Sequence, residues 1–600
     1  MAFNDRVAEH FEELAQLMQL LDMDSFRVNA FARAGRTIAD LTINLEDISA
    51  DPSQLKKIDG IGAKIADKIA EFAKTGTSTE YKELAAKVPA GLLDILKISG
   101  FGPKTVRTFW LEGGVTDEAT LRAFLDTEQA ASLPRMGAKT IAKLKTALNF
   151  ARASAQRVRL GQAMPIAQLI VSRMKELKGV DQSAFAGSLR RGRDTVGDID
   201  ILVTLKDDAA ASAVSEAFRT MPEVQHVLAT GDTKSSVQFS LKFDGQRWGE
   251  DSEPATPVGP AIQVDLKIVP KDSFGAAMHY FTGSKDHNIA MRSRALARGL
   301  TLNEYGLFPN DTDPVAPQHR GVKPVASKTE EDIFKALDLP YIPPEIREDK
   351  GELSVSMPEL VTLTDIKAEL HSHTKASDGV LTIEELASNA KARGFHTIAV
   401  TDHSQSSALA GGLKPERLIE HIAAIKAARK KVTSITILAG SEVDILADGS
   451  LDYDDELLAQ LDVVVASPHA GLTQDSATAT ARLLKAIAHP KVNILGHPTG
   501  RLISRRQGLE PDIHALCAAA KKHNVALEIN AHWMRLDLRD THAKIALESG
   551  CLLAIDCDVH HPDDFENLKY GVQTARRAWA TSANIVNCMT QSALQKWLAK

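Results

Sequence analysis

The feature that most limits the possible folds is a repeated pattern in the C-terminal part of the chain. Seven short apolar runs alternate there with segments of helical character, as in consecutive βα units. Because parallel strands that are joined by helices close readily into a barrel, we predict a barrel-like parallel sheet in this region. The predicted strands are Ala368–Leu370, Thr397–Val400, Ile435–Ala439, Val463–Ala466, Val492–Leu495, Val525–Ile529 and Leu552–Ile555.

Histidines are concentrated in the same region. Fourteen of the nineteen lie between His371 and His561, and the informative ones sit just after an apolar run. The carboxyl ends of parallel strands converge on one face of a barrel, so these residues predict a metal-binding cup there. One histidine alone is ordinarily a core or surface residue. Histidine with carboxylate suits Mn²⁺, Zn²⁺ or Fe²⁺, and such a cup can hold two or three ions that activate a water.

Three aspartates in the middle of the chain form a second candidate metal site. Asp198 and Asp200 project from one face of a predicted strand, because strand side chains alternate with a period of two. Asp265, on a later predicted strand, can complete the site. Three carboxylates suit Mg²⁺ or Mn²⁺ bound together with substrate phosphates. The strands predicted around them are Ala184–Gly187, Ile199–Thr204, Val237–Phe243 and Ile262–Val269.

Residues 1–150 read as short helices separated by turns that contain glycine. Two of these turns have the form apolar-x-Gly-apolar-Gly and are followed by a lysine, and residues 133–139 are a degenerate third copy. Backbone N–H groups at such a helix start can bind a DNA phosphate without reading the base sequence. A single turn of this form would be interpreted as an ordinary helix cap, but repeated copies indicate DNA binding. The residues singled out are Gly60, Gly62, Lys64, Gly100, Gly102 and Lys104.

The net charge of −7 argues against a nucleic-acid binder, but the charge is unevenly distributed. Residues 134–194 hold thirteen Lys or Arg against three acids, which indicates either a DNA-binding surface or a solvated helical face. The four cysteines form no CxxC pair, so disulfides and zinc ribbons are not expected. No apolar run approaches the ~20 residues of a membrane span, and Met1–Met23 lacks an export signal. We therefore expect a cytoplasmic protein with no membrane partner.

Gly187-Ser188 upstream of Asp198-x-Asp200 resembles a nucleotidyltransferase palm, and Tyr280-Phe281-x-Gly283 with Asn288 makes the chain similar to family X DNA polymerases. The resemblance implies that Asp198, Asp200 and Asp265 catalyse nucleotide transfer with Mg²⁺ or Mn²⁺. Two residues depart from the family pattern, and both bear on rate and fidelity. They are Lys285, near the nascent base, and Gln263, beside the third aspartate. The family positions for nucleotide binding are Gly187, Ser188, Arg191, Gly197, Tyr280, Phe281, Gly283 and Asn288, with Arg292 facing the template.

Lys68 matches the Schiff-base lysine of the deoxyribose-phosphate lyase in this family. Arg27, Phe31, Lys56 and Lys64 also fall on positions of that pocket. Glu80 departs from the pattern, since it stands where a phosphate-binding lysine would be. The alternative is that these lysines only bind the 5′-phosphate of gapped DNA.

The His-x-His, Thr-Asp-His and Asp-x-His elements resemble the polymerase and histidinol phosphatase (PHP) domain, which follows the polymerase in bacterial family X enzymes. The resemblance implies a 3′–5′ exonuclease and, in related chains, cleavage at abasic sites. Arg501 is a candidate for binding the scissile phosphate, and His421 is expected to be solvated. The implied metal ligands are His371, His373, Asp378, His403, Glu442, His469, His497, Asp558 and His560.

The predicted protein is therefore a multidomain enzyme with a helix-hairpin-helix region, an α+β palm and thumb, and a C-terminal (β/α)₇ barrel-like PHP domain. It fills short gaps in DNA from deoxynucleoside triphosphates and trims 3′ ends, and we expect a monomer. Two alternatives stay open: a DNA-binding protein whose PHP domain is a small-molecule phosphatase, and a scaffold without catalysis. The predicted boundaries are 1–85 for the lyase-like helical domain, 86–160 for the fingers, 161–285 for the palm, 286–345 for the thumb, 346–367 for a linker and 368–600 for the PHP domain.

Overall fold

A computed structural model describes residues 3–599 except for 40–44, 46–48, 50–51, 57, 59–60, 97, 99–100, 135, 138–139, 143, 146–147, 149–156, 242–260, 312 and 314–315. Gly60 and Gly100 therefore lie outside the described residues. The chain forms two compact units. One is built on Met1–Gln156, and the other contains Arg157–Leu241, Pro260–Ile503 and Gln507–Lys600.

The described part of the first unit is helical, as predicted. Its helices are amphipathic, and they bury one apolar side each in a shared core that includes Phe11, Leu92 and Phe109. The core excludes water from short helices that would not be stable alone. The helices are Phe3–Leu20, Ser25–Ala39, Pro52–Leu55, Ala63–Thr75, Thr79–Ala85, Gly91–Leu96, Pro103–Gly113, Glu118–Leu125 and Glu128–Ser132.

The predicted hairpin turns have matching backbone geometry. Helix Ala63–Thr75 begins after Gly62 and helix Pro103–Gly113 after Gly102, and both glycines are extended, with φ of −79° and −75°. In the degenerate third copy, whose first glycine is replaced, the described residues form the corresponding hydrogen bond. The shared hydrogen bonds run from Ile61 N to Ile58 O (3.1 Å), from Phe101 N to Ile98 O (3.2 Å) and from Met136 N to Leu133 O (3.0 Å).

The second unit begins with a five-stranded sheet, the predicted palm, and a short two-stranded pair. The strands are β1 (Val158–Arg159), β2 (Val180–Phe185), β3 (Thr195–Val196), β4 (Asp198–Leu205), β5 (Val224–Ala229), β6 (Lys234–Phe239) and β7 (Ile262–Ile268). The order in the sheet is β2-β4-β7-β6-β5, and β1 and β3 form the short pair. Strand β4 pairs with β7 in parallel and with β2 antiparallel. The helices between and after them are Leu160–Glu176, Gly187–Arg190, Ala211–Arg219, Phe274–Thr282 and Lys285–Leu296.

The segment between the palm and the C-terminal barrel is packed. It holds the hairpin of β8 (Leu300–Asn303) and β9 (Gly306–Pro309), followed by helix Glu330–Ala336. Within the predicted linker, Arg347 and Glu352 are fully buried, as charged groups can be when they are paired. Arg347 forms an ion pair with Glu330, and Glu352 bonds His287 at 2.7 Å.

Seven parallel strands follow, and all seven runs predicted as strands form them. The strands are β10 (Ala368–Glu369), β11 (Thr397–Val400), β12 (Thr436–Asp444), β13 (Val463–Ser467), β14 (Ile494–Leu495), β15 (Ala526–Asn530) and β16 (Leu553–Asp556), and they pair in this order. His373 N, just after β10, donates to Val559 O, just after β16, at 2.7 Å, so the barrel is almost closed.

Two apolar cores support this barrel. Helices cover its outside, and the strands there are buried on both faces, as parallel strands usually are. The inside is filled by Leu370, Val463 and Ala554 and is packed against Trp597 of the last helix. The barrel helices are Ile383–Ala392, Pro415–Lys431, Asp455–Leu458, Ser476–Ile487, Ile513–His523, Asp540–Glu548, Leu568–Arg577 and Gln591–Leu598.

Candidate active sites

The three predicted aspartates lie together on neighbouring strands. Because β4 and β7 are parallel and paired, Asp200 lies directly beside Asp265, and Asp198 precedes it on the same face. Gly187 has φ of +69°, and a Cβ there would lie 2.8 Å from Asp200 Oδ2, so glycine leaves room for this carboxylate. Burial and the neighbouring carboxylates of Asp200 and Asp265 raise the pKa of Asp198, as expected for acids that repel one another in the absence of a cation.

A lysine that the sequence analysis missed contacts this triad. Lys267 Nζ donates to Asp200 Oδ1 at 2.6 Å and lies 3.9 Å from the centre of the Phe281 ring. Since Lys267 follows Asp265 by two residues on β7, its position on the same face could have been read from strand periodicity. The ammonium compensates one of the clustered negative charges.

A cavity of about 730 Å³ opens beside the aspartates. Basic side chains from three segments line it, which makes it suited to a polyphosphate. Ser188, Arg191 and Gly197, three of the predicted nucleotide-binding residues, are on its wall. Five further lining residues, Arg157, Arg193, Asp286, Glu348 and Lys350, were not predicted.

The other predicted nucleotide-binding residues gather at the end of helix Phe274–Thr282. Tyr280 and Phe281 meet edge to face at 5.1 Å, and Asn288 Nδ2 donates to Tyr280 O at 2.7 Å. A Cβ on Gly283 would lie 2.5 Å from Asn288 Oδ1, so the close turn needs glycine. Arg292 is exposed on the next helix.

The nine predicted histidine-site residues converge at the carboxyl ends of the barrel strands. Glu442, at the end of β12, is central: its carboxylate lies 2.8 Å from His497 Nε2, 2.9 Å from His403 Nδ1 and 3.2 Å from His469 Nε2. Within the described residues, three overlapping groups have ligand atoms close enough to hold metal ions. They are His373, Asp378, His403 and His560; His371, His373, Glu442 and Asp558; and His403, Glu442 and His469.

The donor atoms of this cup fit divalent cations. Burial and the neighbouring His560 and His403 lower the pKa of His373 to about 4, so its ring is neutral, as a metal ligand requires. Several buried atoms of the cup make no hydrogen bond, a state that usually costs ~1–3 kcal/mol per group and that an ion relieves. These atoms are His371 Nε2, His373 Nδ1 and His497 Nδ1.

Residues behind the cup orient the histidines. Glu528 Oε1 is 2.7 Å from His371 Nδ1, and Asp444 pairs with His469 Nδ1. Such carboxylates fix the ring orientation and raise the basicity of a ligating histidine. The sequence analysis missed both acids. Strand β15, which carries Glu528, supplies none of the predicted ligands, so six of the seven strand ends form the cup.

Two expectations about this domain were wrong. His421 is buried and lies 2.7 Å from Asp402 Oδ2. The guanidinium of Arg501 is buried and not free for a scissile phosphate, because it donates to the carbonyls of Arg535 (2.8 Å) and Leu536 (2.6 Å) and to Asp194 (3.1 Å). Both side chains complete buried polar networks that residue type alone does not reveal.

In the first unit, Glu80 forms ion pairs with both Lys68 and Arg27. Lys68 Nζ also lies 6.0 Å from the centre of the Phe31 ring. The amine that the lyase prediction requires as a nucleophile is therefore held by a carboxylate. Gly62, Lys64, Gly102 and Lys104 are exposed at their helix starts.

Together, the paired aspartates beside a basic cavity and the histidine cup of the barrel define a nucleotidyltransferase joined to a metal-dependent phosphoesterase. The sequence matches the families described as helix-hairpin-helix domain (residues 2–78), SAM-like helix-hairpin-helix tandem (92–149), DNA polymerase beta palm (161–271), DNA polymerase beta thumb (277–348) and PHP domain (369–532).

Curated relatives cover the chain to different extents. The DNA polymerase/3′-5′ exonuclease PolX of Bacillus subtilis is 34% identical over 591 residues, 98% of each chain. DNA polymerase lambda of Rattus norvegicus is 26% identical over 58% of this chain and 56% of its own length. A probable phosphatase of Shewanella sp. (strain ANA-3) is 32% identical over 202 residues, 32% of this chain and 75% of its own. The chain belongs to the PolX family, the family X DNA polymerases with a C-terminal PHP domain.

Across the described residues, the helices are too short or too polar to cross a membrane.

Proposed function

We propose that this protein fills short gaps in DNA by template-directed nucleotidyl transfer and trims DNA 3′ ends with a 3′–5′ exonuclease at a separate site. The observation that carries the proposal is the pairing of Asp200 with Asp265 beside a basic cavity, on a chain that also assembles the histidine cup. Adding and removing nucleotides at a 3′ end are opposite reactions. Their presence on one chain suits the repair of damaged or mismatched ends.

In the polymerase site, Asp198, Asp200 and Asp265 would hold Mg²⁺ or Mn²⁺. Bound there, the ions supply Lewis-acid activation of the primer hydroxyl and charge stabilisation at the transferred phosphate. Ser188, Arg191 and Gly197 bind the triphosphate, while Tyr280, Phe281, Gly283 and Asn288 enclose the sugar and base. Lys267 would neutralise part of the charge on Asp200 beside the ions, because its ammonium donates to Oδ1 of that carboxylate.

In the barrel, the ligands would be His371, His373, Asp378, His403, Glu442, His469, His497, Asp558 and His560. Two or three ions of Mn²⁺, Zn²⁺ or Fe²⁺ held there supply an activated water for phosphoester hydrolysis. Glu528 and Asp444 keep two of the imidazoles oriented. We expect the enzyme to act as a cytoplasmic monomer on gapped or primed DNA, with Gly62, Lys64, Gly102, Lys104 and Arg292 on the DNA.

Asp200→Ala and His373→Ala test the proposal on gapped, 5′-phosphorylated DNA, assayed with and without nucleotides. Asp200→Ala should lower primer extension by at least about a hundredfold, because losing a metal ligand removes several kcal/mol of transition-state stabilisation. Its 3′ trimming should be retained. His373→Ala should show the reverse pattern. Loss of both activities in either single variant would contradict two separate sites.

The match to a probable phosphatase supports a second candidate function, in which the barrel hydrolyses small phosphate monoesters. Turnover of a small monoester such as p-nitrophenyl phosphate, compared with release of nucleotides from a DNA 3′ end, distinguishes the two. A higher kcat/KM on the monoester would favour the phosphatase.

Lys68 stays a predicted lyase nucleophile. The ion pair with Glu80 supports instead a role in holding the 5′-phosphate of gapped DNA, because the amine has to leave a carboxylate before it can attack a sugar.

A further inference from the structure

The loop that carries the predicted triphosphate contacts rests on the C-terminal domain. We call residues 187–197 the triphosphate loop. At its tip, Gly192 has φ of +68°, and a Cβ there would lie 2.3 Å from Cγ of Gln573. Arg577, one helical turn further along the same helix, donates from Nη1 to Arg191 O at 2.9 Å. The polymerase loop and a barrel helix are therefore in direct van der Waals and hydrogen-bond contact.

Glu348 connects this helix to the side chain of Arg191. Its carboxylate is 3.2 Å from Arg191 Nε, 3.4 Å from Arg193 Nη1 and 3.0 Å from Arg577 Nη2. Lys350 Nζ is a fourth cation, at 3.5 Å. Although burial disfavours the charged carboxylate, Arg577 and the other arginines lower the pKa of Glu348 to about 2. Glu348 is therefore a fixed negative charge on the wall of the nucleotide cavity.

The four cations around Glu348 differ in what they can reach. Arg191, Arg193 and Lys350 line the cavity, whereas Arg577 does not. The Arg577 side chain is 3% exposed and is also bonded to Asp540 at 2.7 Å and to Glu345 O at 3.1 Å. A triphosphate in the cavity competes with Glu348 for the first three cations. Because Arg577 is buried outside the cavity, it keeps its contacts with Glu348 and Asp540 when the other three cations turn to the phosphates.

We propose that Arg577, a residue of the phosphoesterase domain, is a positioning residue for nucleotide binding at the polymerase site and acts through Glu348 on Arg191. The inference rests on the proposed polymerase function. Without Arg577, the uncompensated Glu348 carboxylate would hold Arg191 more tightly and would repel the incoming triphosphate. The phosphoesterase domain thus completes the substrate pocket of the polymerase.

The test is a double-mutant cycle between Arg577→Met and Glu348→Gln in the full-length protein, with primer extension measured against nucleotide concentration. Arg577→Met should raise the KM for the nucleotide by roughly tenfold, which corresponds to about 1.4 kcal/mol, and should change kcat by less than about twofold. In the Glu348→Gln background, Arg577→Met should raise KM by much less than tenfold, because the Glu348 charge is gone and only the contacts of Arg577 with Arg191 O and Asp540 are lost.

Arg576→Met is the matched control. Arg576 is next to Arg577 on the same helix but contacts Glu345 and Val361 O instead of the triphosphate loop. Its KM should equal that of the wild type. The 3′ nuclease rate of every variant reports whether the barrel is folded. If Arg577→Met does not fold, Arg577→Lys replaces it, and its KM should lie between that of the wild type and the tenfold increase expected for Arg577→Met.

An unchanged KM in Arg577→Met and Arg577→Lys would overturn the inference. An equal rise of KM in the Glu348→Gln background would also overturn it, since Arg577 would then act by another route. These outcomes can be distinguished from failure of the proposed polymerase function, because in that case the wild-type protein itself would show no primer extension.

Discussion

Glu330 is a buried carboxylate that joins the palm to the segment after it. It accepts hydrogen bonds from Arg190 at 2.6 and 2.9 Å and from Arg347, which is itself fully buried. Burial disfavours its charge, but the two guanidiniums lower the pKa of Glu330 from 4.5 to about 2. Arg190 also bonds Thr282 at 2.7 Å, so this ion-pair cluster supports the helix that carries Tyr280 and Phe281.

Glu330→Gln should lower the free energy of unfolding by about 3 kcal/mol at pH 7, because one partner of a buried ion pair is removed. Since the folded pKa lies below the unfolded one, the contribution of Glu330 is fully present above pH 4.5 and is lost as the pH falls towards about 2. The difference between variant and wild type in urea unfolding should therefore shrink between pH 5 and pH 3.

Glu331→Gln is the control for Glu330→Gln, since Glu331 is the exposed neighbour on the same helix. It should leave the unfolding free energy within about 0.5 kcal/mol of the wild type. A stability difference for Glu330→Gln that is constant from pH 7 to pH 3 would show that the carboxylate charge is not the cause.

At the residue scale, strand periodicity and strand-end position were sufficient to locate the aspartates and the histidines. Asp198 and Asp200 alternate on one strand, and register then brings Asp265 beside them. Glu348 and Arg577 could not be found in this way. Their role depends on a contact between side chains 229 residues apart, and neither residue belongs to a periodic pattern.

Among the elements, the segment from Thr374 to Asp378 depends on one buried aspartate. Asp402 accepts hydrogen bonds from Thr374 N (2.9 Å), Thr374 Oγ1 (2.8 Å), Ser377 N (3.1 Å) and Ser377 Oγ (2.6 Å), and it pairs with His421. This segment ends at Asp378, a predicted metal ligand. Asp402 therefore fixes the position of a ligand that lies on a loop rather than on a strand.

Asp402→Ala should lower the 3′ nuclease rate by about 10- to 100-fold, as is usual when a residue that orients a metal ligand is lost. Primer extension should be unchanged. Asp455→Ala is the matched control, because Asp455 also pairs with a histidine, His489 at 3.1 Å, but lies at an exposed helix start. A nuclease rate within twofold of the wild type in Asp402→Ala would contradict this role.

The sequence predicted elements well where they are buried and poorly where they are exposed. All seven barrel strands are apolar because they are covered on both sides. Strand β5 was missed, since most of its side chains are exposed and show no alternation. The hairpin of β8 and β9 was missed as well, because its strands have only four residues each.

On the scale of the second unit, Gly161 marks a close contact between palm and barrel. Gly161 lies in helix Leu160–Glu176, and a Cβ there would lie 2.5 Å from Cβ and Cγ of Trp533. The guanidinium of Arg159 lies 5.6 Å from the same indole, and its Nε donates to Ile503 O at 2.8 Å. The palm and the barrel therefore share a packed interface.

Gly161→Ala should destabilise the palm and the barrel together by about 1–3 kcal/mol, because the added methyl meets the rigid base of a tryptophan. This cost exceeds the ~1 kcal/mol by which alanine is favoured in a helix. Heat inactivation of primer extension and of the nuclease should both begin at a lower temperature. Gln168→Ala, at an exposed position of the same helix, should leave both unchanged.

If Gly161→Ala made only primer extension heat-labile, the two domains would unfold independently and the interface would be weak. The sequence predicted the order of the two domains along the chain, but it did not predict the contact between palm and barrel. Asp194 and Arg501, which also form it, are 307 residues apart and carry no pairing signal.

The contact between Arg577 and the triphosphate loop affects how a version of this enzyme without the 3′–5′ nuclease should be engineered. Truncation before β10 removes the histidine cup, but it also removes Gln573, Arg577 and Arg501 from beneath the triphosphate loop. If Arg577 positions Arg191 as proposed, such a fragment should lose nucleotide affinity for a reason unrelated to the nuclease. A single substitution in the cup, such as His373→Ala, should remove the nuclease activity and leave these contacts of the polymerase intact.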